Sequence, residues 1–237
     1  MKKIIVIVAA VLFVSSMRAQ QTMSDPNVQV REAKDFHAIH VGSAFDVYLS
    51  QGTEEKVAVS AASEKDLAYI TVEVRNGVLE VSWDKKGKWT RGNKKLKAWI
   101  SFKKIDELIA GGACDVDIAG TLKADDLKIE LSGASDLSGK IEVIKKLTMD
   151  LSGASDAKLS GLATEMKIDA SGASSFKGFD FTVDYCNAEA SGASDIKITV
   201  NKELSANASG ASDVNYKGGG VIRDIKTSGA SSVSRSS

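Results

Sequence analysis

The chain has 237 residues with 31 basic and 31 acidic side chains, a formal charge of zero at pH 7. That balance excludes wholesale attraction to nucleic acid. A single proline, Pro26, and no glycine- and serine-rich linker between the halves favour one continuous domain.

Lys2 and Lys3 precede an apolar run from Ile4 to Val14, and Ser15-Ser16-Met17-Arg18-Ala19 then leads into Gln20. This is the layout of a secretory signal peptide over residues 1–19, with an apolar stretch too short for a comfortable membrane span. No cysteine follows the cleavage point, so a lipid anchor is not indicated. Loss of Lys2, Lys3 and Arg18 leaves 28 basic and 31 acidic residues, a charge of −3. The expected mature chain is exported and periplasmic, outer-surface or secreted, without a transmembrane segment. Residues 20–27 read as a short tail, and 28–237 as one β-solenoid domain.

Residues 28–105 form its β-rich first part. Phe36, Ala38 and His40 start an alternating strand, and Val47 with Leu49, Val57 with Val59, Ile70 to Val74, Leu79 to Trp83 and Ala98 to Phe102 continue the alternation. Asn76-Gly77, between Val74 and Val78, is the strongest hairpin signal. Gly42-Ser43-Ala44-Phe45-Asp46 resembles a worn copy of a phrase that recurs later. His37 and His40 are read on one strand face, where a satisfied or solvent-facing histidine is the commoner outcome.

Between Trp83 and Trp99 stand Lys85, Lys86, Lys88, Arg91, Lys94, Lys95 and Lys97 with Trp89 among them, opposed only by Asp84. Such a loop is a candidate grip on an anionic glycan, a lipopolysaccharide phosphate or nucleic acid. A solvated hairpin is the plainer reading.

From 106 to 237 the chain repeats. Ser-Gly-Ala-Ser followed by Asp or Ser starts at Ser132, Ser152, Ser171, Ser191, Ser209 and Ser228, in steps of 20, 19, 20, 18 and 19 residues. A rung this short cannot bury its own apolar face, so stacking is obligatory. Apolar residues alternate before each glycine, as in Leu127, Ile129 and Leu131, and two or three short strands should share a rung. The expected fold is all-β: a right-handed parallel β-helix-like solenoid with rungs of about 19–20 residues, preceded by an elaborated hairpin-rich part of the same domain. In the phrase, glycine permits positive φ at a corner, alanine is small enough to point inward, and serines form hydroxyl ladders.

The phrase's last position runs Asp115, Asp136, Asp156, Ser175, Asp195, Asp213, Ser232 if Gly111-Gly112-Ala113-Cys114-Asp115 is counted. Carboxylates about 5 Å apart repel by roughly 1 kcal/mol in water. Serine hydroxyls, backbone N–H groups or a bound cation should offset this. No cofactor is needed, and Ca2+ on Asp136, Asp156, Asp195 and Asp213 is the metal to consider.

Cys114 takes the place of Ser135 in its rung, whereas Cys186 lies six residues before Gly192, as Leu127 lies before Gly133. The four rungs between them span roughly 19 Å, too far for a disulfide. Both should be free thiols. Phe176, Phe179, Phe181 and Tyr185 make the densest aromatic stretch. Exposed on a solenoid face, Phe176 and Phe179 would stack on sugars; core packing is the commoner outcome.

Phe36-His37-Ala38-Ile39-His40-Val41, Ala44 to Gly52, Val72 to Val81, and Ile105 to Ile109 leading into Gly111-Gly112-Ala113 together resemble the putative auto-transporter adhesin head domain, or head GIN domain, family. The Ser-Gly-Ala-Ser-Asp repeats match as well, so the resemblance covers nearly all of the mature chain. It implies export by a Bacteroidota-type bacterium, a right-handed β-helix-like solenoid, and no catalytic residues to carry over. Five residues follow Ser232, too few for a membrane-spanning barrel, so self-transport is not expected.

The expected function is non-enzymatic adhesion or surface interaction through Ser/Asp ladders, with a cell-surface or extracellular glycan or protein as partner and no nucleic acid. One alternative is an assembly module that oligomerises through solenoid edges, a trimer among the expected states. A β-helical polysaccharide-degrading enzyme is the other. Rungs of near-minimal length leave it little material for a cleft.

Overall fold

A computed structural model describes residues 25, 27–84 and 95–236. Its strands follow the apolar alternation of the sequence. After β1 (Val28–Arg31), β2 (Ala38–Val41) and β3 (Phe45–Gln51) make a rung whose Ile39, Val41, Phe45, Val47 and Leu49 side chains are buried. The chain then leaves the coil through β4 (Lys56–Ser60), a single helical turn α1 (Glu64–Leu67) and β5 (Ile70–Arg75). Ser63 caps α1 by accepting the Asp66 N–H at 3.2 Å, and buried Leu67 anchors it. The turn at Asn76-Gly77, with φ of +52° and +78°, closes the hairpin between β5 and β6 (Val78–Trp83). β7 (Leu96–Phe102) completes that rung.

Chain order and spatial order part here. β6 pairs with β2 and β7 with β3, all parallel, whereas β8 (Glu107–Ala110) and β9 (Asp115–Ala124) stack on the opposite edges of β2 and β3. The later rung β6–β7 therefore lies outside the earlier one. Antiparallel strands close that end: β5 on β6, β4 on β7 and β1 on β4. Ala61, Leu67, Ile70 and Trp83 are buried there.

Beyond β9 the rungs run in simple succession: β10 (Leu127–Leu131), β11 (Asp136–Leu151), β12 (Asp156–Ala170), β13 (Ser175–Ala190), β14 (Asp195–Gly210), β15 (Asp213–Lys217), β16 (Val221–Gly229) and β17 (Ser232–Arg235). Each rung has two strand segments, the smaller number expected. The segments ahead of the phrase form one face, called sheet one, and those after it form sheet two; the long strands β11 to β14 give one half to each. Apolar columns fill the space between the sheets. Leu127, Leu147, Met166, Cys186 and Leu204 stack in register from sheet one. Val116, Leu137, Ala157, Phe176, Ile196 and Val214 do so from sheet two. Burying one Leu or Ile in such a column stabilises by about 1.5–3 kcal/mol.

The phrase is the corner between the sheets. Gly133, Gly153, Gly172, Gly192, Gly210 and Gly229 all have φ between +75° and +78°. A Cβ on Gly192 would lie 2.6 Å from the Gly172 carbonyl oxygen, so both conformation and stacking demand glycine. Ser43, with φ of +80°, fills the same corner in the β2–β3 rung, and Ala113 N–H donates to its carbonyl at 2.7 Å, which identifies 42–46 as the worn copy. One expectation is reversed: alanine points outward and the second serine inward. Ala134 and its counterparts are exposed, while Ser135, Ser155, Ser174, Ser194 and Ser212 are buried. The inward hydroxyl has work an alanine methyl cannot do. Ser212 Oγ reaches the carbonyls of Ser209 in its own turn, at 2.8 Å, and of Ala190 in the neighbouring rung, at 3.0 Å. Cys114 holds this place in its rung, with Sγ 3.4 Å from the Gly111 carbonyl. Both cysteines are buried and free.

The phase of the first strand also differs from the reading. Ile39 and Val41 face the core, His40 is half-exposed, and His37 lies ahead of β2 rather than on its face. His37 and Ala38 both donate their N–H to the Gly77 carbonyl, at 2.8 and 3.2 Å, and this shared acceptor sets the strand's entry.

Candidate functional site

Parallel rungs in register turn each repeated position into a row along an outer face. Row one of sheet two is the phrase's last position: Asp46, Asp115, Asp136, Asp156, Ser175, Asp195, Asp213 and Ser232, with Lys97 at its N-terminal end. The four aspartates considered for calcium thus share one row, Asp136 with Asp156 and Asp195 with Asp213 on adjacent rungs about 4.8 Å apart, the two pairs separated by the rung of Ser175. Among the described residues no group of three or more His, Cys, Asp or Glu is gathered closely enough to hold a metal ion.

Row two lies two residues further on, pointing to the same side: Trp99, Tyr48, Asp117, Ser138, Lys158, Lys177, Lys197, Asn215 and Ser234. Its lysines answer the repulsion in row one. Lys177 Nζ donates to Asp156 at 2.6 Å. That hydrogen bond, with the charges of Asp156, Asp136 and Asp195, holds the Lys177 ammonium above its usual range against desolvation. Ser232 adds a hydroxyl bond to Asp213 at 2.5 Å. The sequence reading passed over this lysine row. Asp156-Ala157-Lys158, Ser175-Phe176-Lys177 and Asp195-Ile196-Lys197 carry it in plain view.

At its N-terminal end row two turns aromatic. Tyr48 and Trp99, both half-exposed, stack with ring centroids 5.8 Å apart and planes 18° apart. Ala58 of β4 and the exposed Val30 of β1 extend the row beyond Trp99. Lys97 flanks the pair and donates to Asp25 at 2.8 Å, a bond that holds its ammonium up. An apolar platform with charges and hydroxyls along one flank can take the apolar face of a sugar ring and hydrogen-bond its hydroxyls.

Sheet one carries a second carboxylate row, also missed. Glu130, Asp150, Asp169 and Glu189 are in register three residues before the glycine of their phrase. Each phrase corner in these rungs is therefore flanked by acidic positions on both sheets, except where Ser175 stands.

Other sequence candidates fall as follows. Lys85, Lys86, Lys88, Trp89, Arg91 and Lys94 lie outside the described residues. Lys95 is exposed, with φ of +46°. Trp83 ends β6 and Leu96 begins β7, where other rungs have their phrase. Phe176 is not available to a sugar: it is fully buried and meets Phe181 edge-on at 6.4 Å, because its strand position faces the core column. Phe179 and Tyr185 point outward beneath Lys217 and Lys202, with 4.8 and 5.4 Å from Nζ to ring centroid. The histidines bond carboxylates, His37 to Asp106 at 3.0 Å and His40 to Glu107 at 2.6 Å. His37 and Asp106 line an open groove with Lys103, Lys104, Lys123 and Asp126, and none of its lining residues is a serine, threonine or cysteine that could act as nucleophile.

Residues 35–220 match the family described as putative auto-transporter adhesin, head GIN domain. No curated protein matches the chain. Among solved structures, a putative adhesin from Bacteroides fragilis is similar over 88% of this chain and 96% of its own, at 24% identity and a TM-score of 0.82. A putative adhesin from Parabacteroides merdae (19% identity) and a putative lipid binding protein from Parabacteroides distasonis (20%) each cover 91% of this chain and 98% of their own, at TM-scores of 0.66. At these identities the likeness is one of fold.

Proposed function

The chain belongs to the putative auto-transporter adhesin, head GIN domain family, and on that premise we propose that it is an exported, non-catalytic interaction protein that engages a cell-surface or extracellular glycan along the outer face of sheet two. The observation that carries this reading is the meeting, in one register, of the Tyr48–Trp99 stack with the Asp and Lys rows. The stack supplies an apolar surface for a pyranose ring. The rows supply fixed donors and acceptors at a repeat near 4.8 Å, held by the β-scaffold rather than by mobile loops. In the sequence the basic run from Lys85 to Lys95 stands just before Lys97 and Trp99, which favours an anionic glycan. Export is supported by the family and by the layout of residues 1–19.

A glycan array with the purified protein, run with and without calcium, tests the reading. The expected result is retention of one glycan class, reduced at least tenfold by Tyr48→Ala/Trp99→Ala and by Lys158→Ser/Lys177→Ser/Lys197→Ser, with unchanged melting. Absence of any retained glycan, or full retention by both variants, overturns it. Retention that requires calcium in the unaltered protein and is lost in Asp136→Ser/Asp156→Ser would assign the metal to row one.

A further inference from the structure

We propose that the β13 rung carries a separate subsite on the outer face of sheet two, where Phe179 and the ammonium groups of Lys197 and Lys217 take an acidic sugar unit. The inference rests on the reading of that face as the glycan surface and adds a second platform to it.

Three departures from the repeat meet in this one rung. Its phrase ends in Ser175, which breaks the aspartate row between Asp156 and Asp195. Its strand bulges: Gly178 pairs with Ile198 and Thr182 with Thr199, so residues 179–181 have no opposite number on β14. Of the five aromatic residues beyond 106, Phe176, Phe181 and Tyr216 are buried, and the two that point outward, Phe179 and Tyr185, both belong to it.

The core fixes the bulge. Phe176 and Phe181, fully buried and edge-on at 6.4 Å, hold it from within. Gly178 makes room for them, because a Cβ there would collide with the Phe176 ring. Thr199 Oγ1 donates to the Phe179 carbonyl at 2.8 Å, which gives a partner to a backbone group in the stretch that β14 does not match. A bulge anchored in this way re-aims one side chain and holds it in place.

The charge pattern names the ligand. Lys158, Lys177 and Lys197 stand on three consecutive rungs beside the Ser175 break. Lys177 is tied to Asp156, whereas among the described residues Lys197 and Lys217 have no carboxylate partner. Lys217 Nζ lies 4.8 Å from the Phe179 ring centroid. An aromatic face with ammonium groups at its rim suits a pyranose that carries a carboxylate or a sulfate. The sugar ring stacks on Phe179, and the flexible Lys217 stem lets its ammonium pass from the aromatic ring to the anion, where Lys197 joins it. Exposed Asp180 is left to accept from sugar hydroxyls. A neutral sugar would forgo the ion pairs, and an aspartate in place of Ser175 would compete for them. The rung lies four steps from that of Tyr48, about 19 Å along the axis, so one extended glycan chain reaches both platforms.

Affinity electrophoresis of the purified protein tests this, through polygalacturonate, which carries carboxylates, carrageenan, which carries sulfates, and neutral hydroxyethylcellulose. Retardation by an acidic polymer and not by the neutral one is expected, and the polymer that acts identifies the anion. Phe179→Ala and Lys197→Ser/Lys217→Ser should each weaken that binding about tenfold, Ser175→Asp should weaken it about threefold, and Phe179→Tyr should keep it. Circular dichroism melts confirm folding of each variant. No acidic polymer bound, equal retardation by the neutral one, or full binding by Phe179→Ala overturns the subsite. Full binding by Phe179→Ala with loss in Tyr48→Ala/Trp99→Ala removes this subsite alone and leaves sheet two as the glycan face. The reverse pattern keeps the subsite and removes the Tyr48–Trp99 stack.

Discussion

The regular rungs beyond residue 106 and the rungs before it solve the same stacking problem in opposite ways. In the regular part, chain order is spatial order, and every core column and outer row can be counted from the phrase. In the first part, rung β6–β7 lies outside the older rung β2–β3, and antiparallel strands cover it. Repetition extends a parallel stack but cannot end it, because each repeat leaves the same open edge. Ending it takes sequence that breaks the period. The worn corners show how far the phrase tolerates change: Ser43 replaces glycine, while Phe45 and Cys114 replace the inward serine.

The largest expected effect sets a regular corner against a worn one. Gly192→Ala combines a left-handed φ with a contact of 2.6 Å to a neighbouring carbonyl, and should cost about 3 kcal/mol or more. Ser43→Gly should stay within about 1 kcal/mol, since relief of a non-glycine φ of +80° is set against loss of the Trp83 N–H to Ser43 Oγ bond. Urea unfolding of the two variants measures the contrast. Equal destabilisation would mean that the glycine column is not what holds the regular rungs.

Alkaline pH probes the core beyond residue 106 next. Burial pushes the Cys186 thiol up to about 12 from an ordinary 9.0, so the folded chain keeps a proton that the unfolded chain releases. This contribution is fully present below pH 9 and is lost as pH rises towards 12. The fall is about 1.4 kcal/mol per pH unit. Burial also pushes Cys114 up, adding in the same direction. Denaturant titrations at stepped pH should show the slope, and Cys186→Ala should flatten it. An unchanged slope in that variant would show that the thiol in the sheet-one core column is not the titrating group.

The smallest contrast concerns the inward hydroxyl. Ser212→Ala removes the acceptor of the Ser209 N–H and the one hydroxyl proton shared by the carbonyls of Ser209 and Ala190, and should cost about 1–2 kcal/mol. Cys114→Ser puts the regular residue into a worn corner and should change stability by less than about 0.5 kcal/mol. Differential scanning calorimetry resolves the two; a costly Cys114→Ser would mean that the worn rung has repacked around sulfur.

Legibility followed the same division. The solenoid, the corner glycines, the Asp row, the free cysteines and the hairpin at Asn76-Gly77 could all be read from spacing, because each depends on neighbours at a fixed offset. Alanine and serine in the phrase were assigned the wrong sides, since size alone was weighed and the buried carbonyls that need a hydroxyl are invisible before the rungs are stacked. Phe176 could be judged only once its strand's phase was known. The lysine row and the Glu130 row lay in the repeat but outside the phrase, so attention to the phrase hid them.

By itself the sequence determined the period, and with it which residues share a column, because a short rung must stack in register to bury anything at all. Tertiary structure decided what the period cannot encode: that rung β6–β7 sits outside rung β2–β3, that Tyr48 meets Trp99 there, and that antiparallel strands cover the β6–β7 end. Those depend on contacts between segments with no fixed offset, and only the folded chain brings them together.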